Sequence, residues 1–280
     1  MSVLPPEKLN DAVLETMIGV FEELALKAGA VIMPFYEDGC DTLIKQDESP
    51  VTVADQAAEE VILAGLRAAY PDIPVVAEEE ICAGHMPADL GRRFFLVDPL
   101  DGTREFINRR SDFTVNIALV EDGQPVAGTV YAPVRHAMFS GFGTQASEME
   151  VADGRIGRRV ALKVSGKARP EIAVASRSHR TAETDAFLKT HHISDCVSVG
   201  SSLKFCLLAK GDADIYPRFG RTMEWDTAAG DAVLRAAGGR TTCTDGSTFA
   251  YGKQQQSHDA PFANPFFISW ATGRLPDMSA

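Results

Sequence analysis

Apolar residues in the first part of the chain recur at three- and four-residue steps. Leu14, Met17, Ile18, Phe21, Leu24, Ala28, Val31, Ile32 and Phe35 trace the stripe, which is the period of a helix with one buried face. The pattern predicts a long amphipathic helix over residues 13–35, with Pro34 in its final turn, because proline has no N–H to extend the ladder. Thr52 followed three residues later by Asp55 has the form of a second helix start. That helix is expected to run to Tyr70, where Pro71 stops it. The period then shortens. Residues 75–77 and 94–97 are short apolar runs that end abruptly in acid, at Glu78-Glu79-Glu80 and at Asp98. Residues 113–120 alternate, Glu121-Asp122-Gly123-Gln124 supplies a turn, and residues 126–131 and 137–141 complete an antiparallel meander.

Beyond about residue 155 short strands alternate with short helices. Strands are predicted at 172–175, 197–199, 215–216, 240–243 and 266–270, and helices at 182–190, 203–209 and 226–237. This alternation describes a layered α/β protein with two sheets and helices between and outside them. Residues 1–157 read as an N-terminal α+β subdomain and residues 158–280 as a C-terminal α/β subdomain.

Composition narrows the function classes. Hydrophobic residues at 45% and charged residues at 24% describe an ordinary globular chain. A net charge of −12 argues against a nucleic-acid groove, although a bound dication and a few placed cations would still admit a small anionic substrate. No apolar run approaches the roughly 20 residues of a membrane span. No basic stretch followed by an apolar one marks a secretory leader. A cytoplasmic location is expected, and nothing in the pattern bears on peripheral association with the inner membrane. Cys40, Cys82, Cys196, Cys206 and Cys243 are scattered and odd in number, without a C-x-x-C pair, which fits reduced thiols better than disulfides or structural zinc. Cys206 lies in an apolar run and is expected in the core.

The chemistry lies in where the acids fall. Glu78-Glu79 and Asp98-Pro99-Leu100-Asp101 stand at strand C-terminal ends, where open α/β folds place ligands. Asp98 and Asp101, with the Leu100 carbonyl between them and Pro99 stiffening the turn, form an oxygen-only set that suits magnesium. Gly102 lets the backbone approach a ligand closely, and a helix starting at Thr103 would turn N–H groups toward a phosphate. Simpler readings stay open on the residues alone: Asp55 fits a capping box, and Asp226 stands where it would cap the helix that follows.

At these residues the sequence resembles the inositol monophosphatase-like, lithium-sensitive phosphatase superfamily. Leu96-Val97-Asp98-Pro99-Leu100-Asp101-Gly102-Thr103 and Trp225-Asp226-Thr227-Ala228-Ala229-Gly230 match its two signature motifs, Glu78-Glu79 its upstream acidic pair, and Thr52-Val53-Ala54-Asp55 its Thr-x-Ala-Asp segment. Further segments resemble the bacterial 3'(2'),5'-bisphosphate nucleotidase branch: residues 101–107, 112–119, Ser176-Arg177-Ser178-His179, 200–206 and Tyr216-Pro217-Arg218-Phe219-Gly220.

The resemblance implies an αβαβα sandwich of the inositol monophosphatase and fructose-bisphosphatase type. It implies two or three magnesium ions on Glu78, Asp98, Asp101, Asp226 and the Leu100 carbonyl. Asp55 and Thr103 would position and help deprotonate the attacking water, and the Gly102 and Thr103 N–H groups would cradle the scissile phosphate. His179, Ser201, Lys204 and Arg218 would hold the rest of the nucleotide; independently, Lys204 and Arg218 suit a second phosphate. The implied reaction is hydrolysis of the 3'-phosphate of adenosine 3',5'-bisphosphate to AMP, with the sulfated nucleotide as a further substrate, in support of sulfur assimilation. An inositol or histidinol phosphatase is the alternative from the same superfamily. A silent nucleotide- or magnesium-binding regulator is the alternative from another class. Neither nucleic acid nor a transmembrane segment is expected, and the chain is expected to be a monomer or homodimer.

Overall fold

Asn10 opens the first helix, its side chain accepting the Val13 N–H at 3.1 Å and replacing a bond that every helix start lacks. This helix, α1 (Asp11–Asp38), turns Met17, Ile18, Phe21, Ala25, Ala28 and Ile32 inward. It continues for one turn past Pro34 before the Gly39 N–H closes on the Phe35 carbonyl. The computed structural model describes residues 8–39, 42–44, 50–178 and 180–272, so Cys40 and His179 lie outside the described residues.

An antiparallel pair follows, β1 (Thr42–Ile44) and β2 (Pro50–Thr52). Thr52 then caps α2 (Val53–Ala69), and the predicted capping box with Asp55 is present. A seven-stranded sheet comes next. It runs through β3 (Val75–Ala77), α3 (Glu78–Cys82), β4 (Arg93–Asp101), α4 (Thr103–Ile107), β5 (Thr114–Glu121), β6 (Gln124–Ala132), β7 (Ala137–Phe142), β8 (Gln145–Ala152) and β9 (Arg155–Ala161). The strands lie in chain order, β3 parallel to β4 and the others antiparallel. Asp122 and Gly123 join β5 to β6 with φ of 52° and 72°, the double positive φ of a two-residue type I′ hairpin.

The meander is longer than the sequence reading predicts. β8 and β9 lie beyond the predicted strands; β9 is solvent-facing and carries Arg155, Arg158 and Arg159, so little apolar patterning marks it. Residue 157, where the two subdomains were expected to divide, lies inside β9.

The second half alternates as expected: β10 (Ile172–Ser176), α5 (Ala182–Thr190), β11 (Asp195–Val199), α6 (Leu203–Lys210), β12 (Ile215–Arg218), α7 (Ala228–Ala236), β13 (Arg240–Cys243) and β14 (Phe267–Trp270). Its strands form a five-stranded sheet in the order β11-β10-β12-β14-β13, parallel through the first three and antiparallel at β14.

Five layers result, which is the predicted αβαβα sandwich. Residues on alternate positions of the central strands serve two different cores. Phe95, Val97, Val115, Ile117 and Leu119 pack with α1 and α2, while Phe94, Leu96, Ala118 and Val120 pack with α6, α7 and the second sheet. Every residue of β5 is therefore buried, and its alternation separates two interiors rather than core from solvent. α5 covers the outer face of the second sheet through Leu188. Cys206 is buried between the sheets, where desolvation pushes its thiol up and keeps it inert.

α7 lies close against the large sheet. A Cβ on Gly128 would come 2.7 Å from the Ala229 carbonyl oxygen, and one on Gly141 would come 2.6 Å from the Val233 Cα. Gly128→Ala and Gly141→Ala are each expected to destabilise the fold by about 1–3 kcal/mol, the usual cost of overpacking. Gly19→Ala, in open space on α1, should instead be stabilising by about 0.5–1 kcal/mol. Urea midpoints for the three variants check the assignment, and equal midpoints at 128, 141 and 19 would contradict it.

Candidate active site

Strand β4 does not stop at Asp98, as its composition predicts, but runs on to Asp101 with a bulge. Asp98 faces Asn116 and Asp101 faces Thr114, so Pro99 and Leu100 together oppose Val115 alone. Proline cannot donate to the ladder, and a bulge is where a sheet accommodates it. The Leu100 side chain goes into the α1–α2 core, its N–H donates to Asp98 Oδ1 at 3.0 Å, and its carbonyl faces the Thr103 hydroxyl at 3.4 Å. Gly102 then turns left-handed at φ 96° and caps α4. This conformation costs other L-residues energy, and a Cβ there would also press on the Asp112 carbonyl at 3.3 Å.

Asp55 meets this turn from α2. Its Oδ2 accepts both the N–H and the hydroxyl of Thr52 at 2.7 Å, and its Oδ1 accepts the Thr103 hydroxyl at 3.2 Å. The helix-cap reading and the site reading of Asp55 are therefore both realised, one on each oxygen.

Glu78 is the first residue of α3, and its placement depends on a residue that sequence reading passed over. The Glu59 carboxylate, from α2, accepts the Glu79 N–H at 2.8 Å and the Glu80 N–H at 2.9 Å. Burial raises its pKa to about 7, against the lowering effect of those two N–H groups.

Asp226 does not cap α7. Thr227 occupies the N-cap, while Asp226 accepts the Met223 N–H at 2.8 Å in the preceding turn. Asn264 holds that turn by donating to Thr222, Met223 and Thr227.

The polar residues of β5 bring the second half of the chain to the first. Ser202 donates its N–H to Asp101 Oδ2 at 2.6 Å and its hydroxyl to Asn116 Oδ1 at 2.7 Å, and it shares a hydrogen bond with Thr114 at 3.0 Å. The Asn116 amide reaches Asp101 Oδ2 at 3.3 Å. Ser202 precedes α6, so this knot sets Lys204 beside Asp101. Asp112, paired with Arg135 and Arg177, accepts the Gly200 N–H at 3.2 Å and fixes the start of the same loop. The signal for Thr114 and Asn116 was present: both are polar positions in a strand that is otherwise wholly apolar in its interior.

These residues line one cleft of about 340 Å³. Glu78, Asp101, Gly102, Thr103 and Asp226 line it together with Ser201, Lys204 and Arg218. Asp98 is buried beneath it and Asp55 behind Thr103. The Lys204 ammonium donates to the Ser201 carbonyl and lies 5.4 Å from the Tyr216 ring centre. Arg218 donates to the carbonyls of Gly220 and Arg221 at 3.1 and 2.9 Å, an arrangement that holds the guanidinium plane without neutralising it.

The electrostatics are dominated by mutual repulsion. Burial drives Asp98 well above the usual carboxylate range, and the charges of Glu78, Asp101 and Asp226 add to it. Asp226 is raised by burial and then by Asp101 and Glu78. Asp101 is raised from 3.8 to about 6 by burial, against the opposing effect of Lys204, the Ser202 N–H and Asn116. Burial lowers Lys204 to about 8, with Asp101 pulling it back up. Among the described residues no three acidic, histidine or cysteine side chains are closed up to ion-holding distance, and the Asp98, Asp101 and Asp226 oxygens rest on backbone N–H groups. The donor set is nonetheless oxygen-only, buried and self-repelling, which fits a hard dication.

Known proteins resemble this chain over most of its length. A 3'(2'),5'-bisphosphate nucleotidase CysQ of Escherichia coli O157:H7 is 45% identical over 247 residues, covering 88% of this chain and 96% of that protein. Its counterpart in Salmonella typhimurium is 46% identical over 248 residues, with the same coverage. The crystal structure of CysQ from Bacteroides thetaiotaomicron superposes with a TM-score of 0.78 at 36% identity, over 95% of this chain and all of that one. An inositol monophosphatase structure from Anabaena shows the same fold at 25% identity and a TM-score of 0.69. Enzymes of this kind are generally dependent on a divalent metal. Residues 13–264 match the inositol monophosphatase family, and the chain belongs to it.

Proposed function

We propose that this chain hydrolyses the 3'-phosphate of adenosine 3',5'-bisphosphate, releasing AMP and phosphate, and that it also accepts the sulfated nucleotide. The observation that carries this reading is a single cleft lined both by acidic turns and by the buried cations Lys204 and Arg218. A monoester with one phosphate needs only the acidic turns. A nucleotide with phosphates at both ends needs the cations as well.

Glu78, Asp98, Asp101, Asp226 and the Leu100 carbonyl would hold two or three magnesium ions. When bound, magnesium supplies Lewis-acid neutralisation of the phosphoryl and leaving oxygens. The chain's own residues account for the rest. The Thr103 hydroxyl donates to Asp55 Oδ1, which leaves a lone pair to accept a hydrogen bond from water and aim it at phosphorus; as the Thr103 proton passes to Asp55, the water's proton takes its place. Asp55, held by the Thr52 N–H and hydroxyl, is the base toward which the Thr103 proton moves. The Gly102 and Thr103 N–H groups cradle the scissile phosphate, and Ser201, Lys204 and Arg218 take the 5'-phosphate. Water attacks in line and the 3'-oxygen leaves, so no covalent phosphoenzyme forms. His179, which the resemblance places with the nucleotide, lies outside the described residues.

Three outcomes test this. Asp98→Asn should lower turnover of the bisphosphate by at least about 10²–10³-fold, the usual size of losing one preorganised charge-stabilising group, while circular dichroism stays native; near-normal magnesium-dependent turnover would remove the metal assignment.

The second concerns pH in metal-free protein. An acid raised from 3.8 to about 6 in the folded state keeps a proton that the unfolded chain has released, so the folded state is penalised above pH 6 and relieved as pH falls through 6 toward 4. The melting temperature in chelator should therefore rise between pH 7.5 and pH 5, and magnesium should raise it at pH 7.5 far more than at pH 5. A melting temperature indifferent to both would contradict the cluster.

Third, Arg218→Ala should raise KM for adenosine 3',5'-bisphosphate about 10–100-fold, the worth of a charged hydrogen bond, and change inositol phosphate hydrolysis by less than about threefold. Equal losses on the two substrates would overturn the role of Arg218.

A further inference from the structure

Glu105 takes no part in the reaction above, yet it is 4% exposed and lines the cleft two residues beyond Thr103. A buried carboxylate on the wall of a polyanion site opposes binding unless the ligand brings it a donor. Its Oε1 accepts the Ser178 hydroxyl at 2.5 Å. Its Oε2 lies beside the phosphate turn, 3.5 Å from where a Cβ on Gly102 would sit, and its Cγ is 2.8 Å from the corresponding point on Gly200. Asp101 and Lys204 both feel its charge, but no cation among the described residues forms an ion pair with it. Glu105 thus reaches from the turn proposed for the scissile phosphate to the loop proposed for the rest of the nucleotide.

We infer that Glu105 is a specificity-determining residue that accepts a hydrogen bond from the hydroxyl on the carbon next to the scissile phosphate, so that the cleft selects ribonucleotide 3'-phosphates over their 2'-deoxy counterparts. The inference rests on the nucleotidase reading. An acceptor-only group beside an anion calls for a donor on the substrate between the two, and the vicinal hydroxyl of a ribose 3'-phosphate occupies that place. Hydrogen bonds from hydroxyls to carboxylates are short and strong. A site built around one rejects the analogue that lacks it, because its acceptor is then left dry and unpaired. The Lys204 charge attracts the carboxylate and offsets part of the cost of burying it there.

The test measures phosphate release from adenosine 3',5'-bisphosphate and from its 2'-deoxy analogue at saturating magnesium, and compares kcat/KM. Wild-type protein should favour the ribonucleotide by about 10–100-fold. Glu105→Ala should bring the ratio to within about threefold of unity, and Glu105→Gln, which keeps a neutral acceptor of the same size, should fall between. Ser178→Ala removes the contact that holds Glu105 and should lower the ratio partway toward unity. An unchanged ratio in Glu105→Ala and Glu105→Gln, or a wild-type ratio near unity, overturns the inference and leaves the nucleotidase reading standing. No phosphate from either nucleotide with wild-type protein overturns both.

Discussion

Carboxylates that share one small volume repel each other, and burial magnifies the repulsion. Asp98, Asp101 and Asp226 are all raised by burial and by their acidic neighbours, so their assembly must be held together by something else. The structure supplies backbone donors. Leu100, Ser202 and Met223 each give an N–H to one of the three acids, and the Glu79 and Glu80 N–H groups are given to Glu59 behind the strand end that carries Glu78. Each of those N–H groups belongs to a turn with a specific cause: the bulge at Pro99, the loop before α6, the turn held by Asn264, and the start of α3. The site is therefore a property of main-chain geometry first and of side-chain identity second.

Much of that geometry was legible in advance. The capping box at Thr52 and Asp55 can be read from spacing alone, as can the strand end before Glu78, because period and abrupt polarity changes are local signals; the bulge that carries β4 past Asp98 to Asp101 leaves no such signal. Helices α5 and α6 fall where alternation puts them. The failures share a cause as well. The helix-cap alternative for Asp226 stays open in the sequence because an acid before a helix usually is one, and only the bond from Met223, with Thr227 at the N-cap, closes it. β9 is invisible because little apolar patterning marks it. Glu59, Ser202 and Glu105 are given no role in advance because each acts across a sequence separation that no local pattern encodes; Ser202, for instance, bonds Asn116 across 86 residues.

The two readings of Asp55 illustrate how local and distant requirements coexist. A capping carboxylate needs only one oxygen for the helix start, and a carboxylate has two. The chain uses Oδ2 to begin α2 and leaves Oδ1 for Thr103. A residue that satisfies a folding rule is therefore not thereby excluded from chemistry. Here the folding role is what holds the second oxygen still.

The near contact between α7 and the glycines of the large sheet has a consequence for tolerance to change. Gly128 and Gly141 let the helix main chain rest on the strands, with only the methyls of Ala232 and Ala236 beside the contact. The depth at which α7 lies is thus set by backbone thickness, a quantity that mutation of the surrounding leucines and phenylalanines does not alter. Asp226 stands two residues before that helix, so its height above the acidic turn inherits the same independence. The inter-sheet core can drift in volume over many substitutions, and the carboxylate at the head of α7 stays in register with its partners on β4.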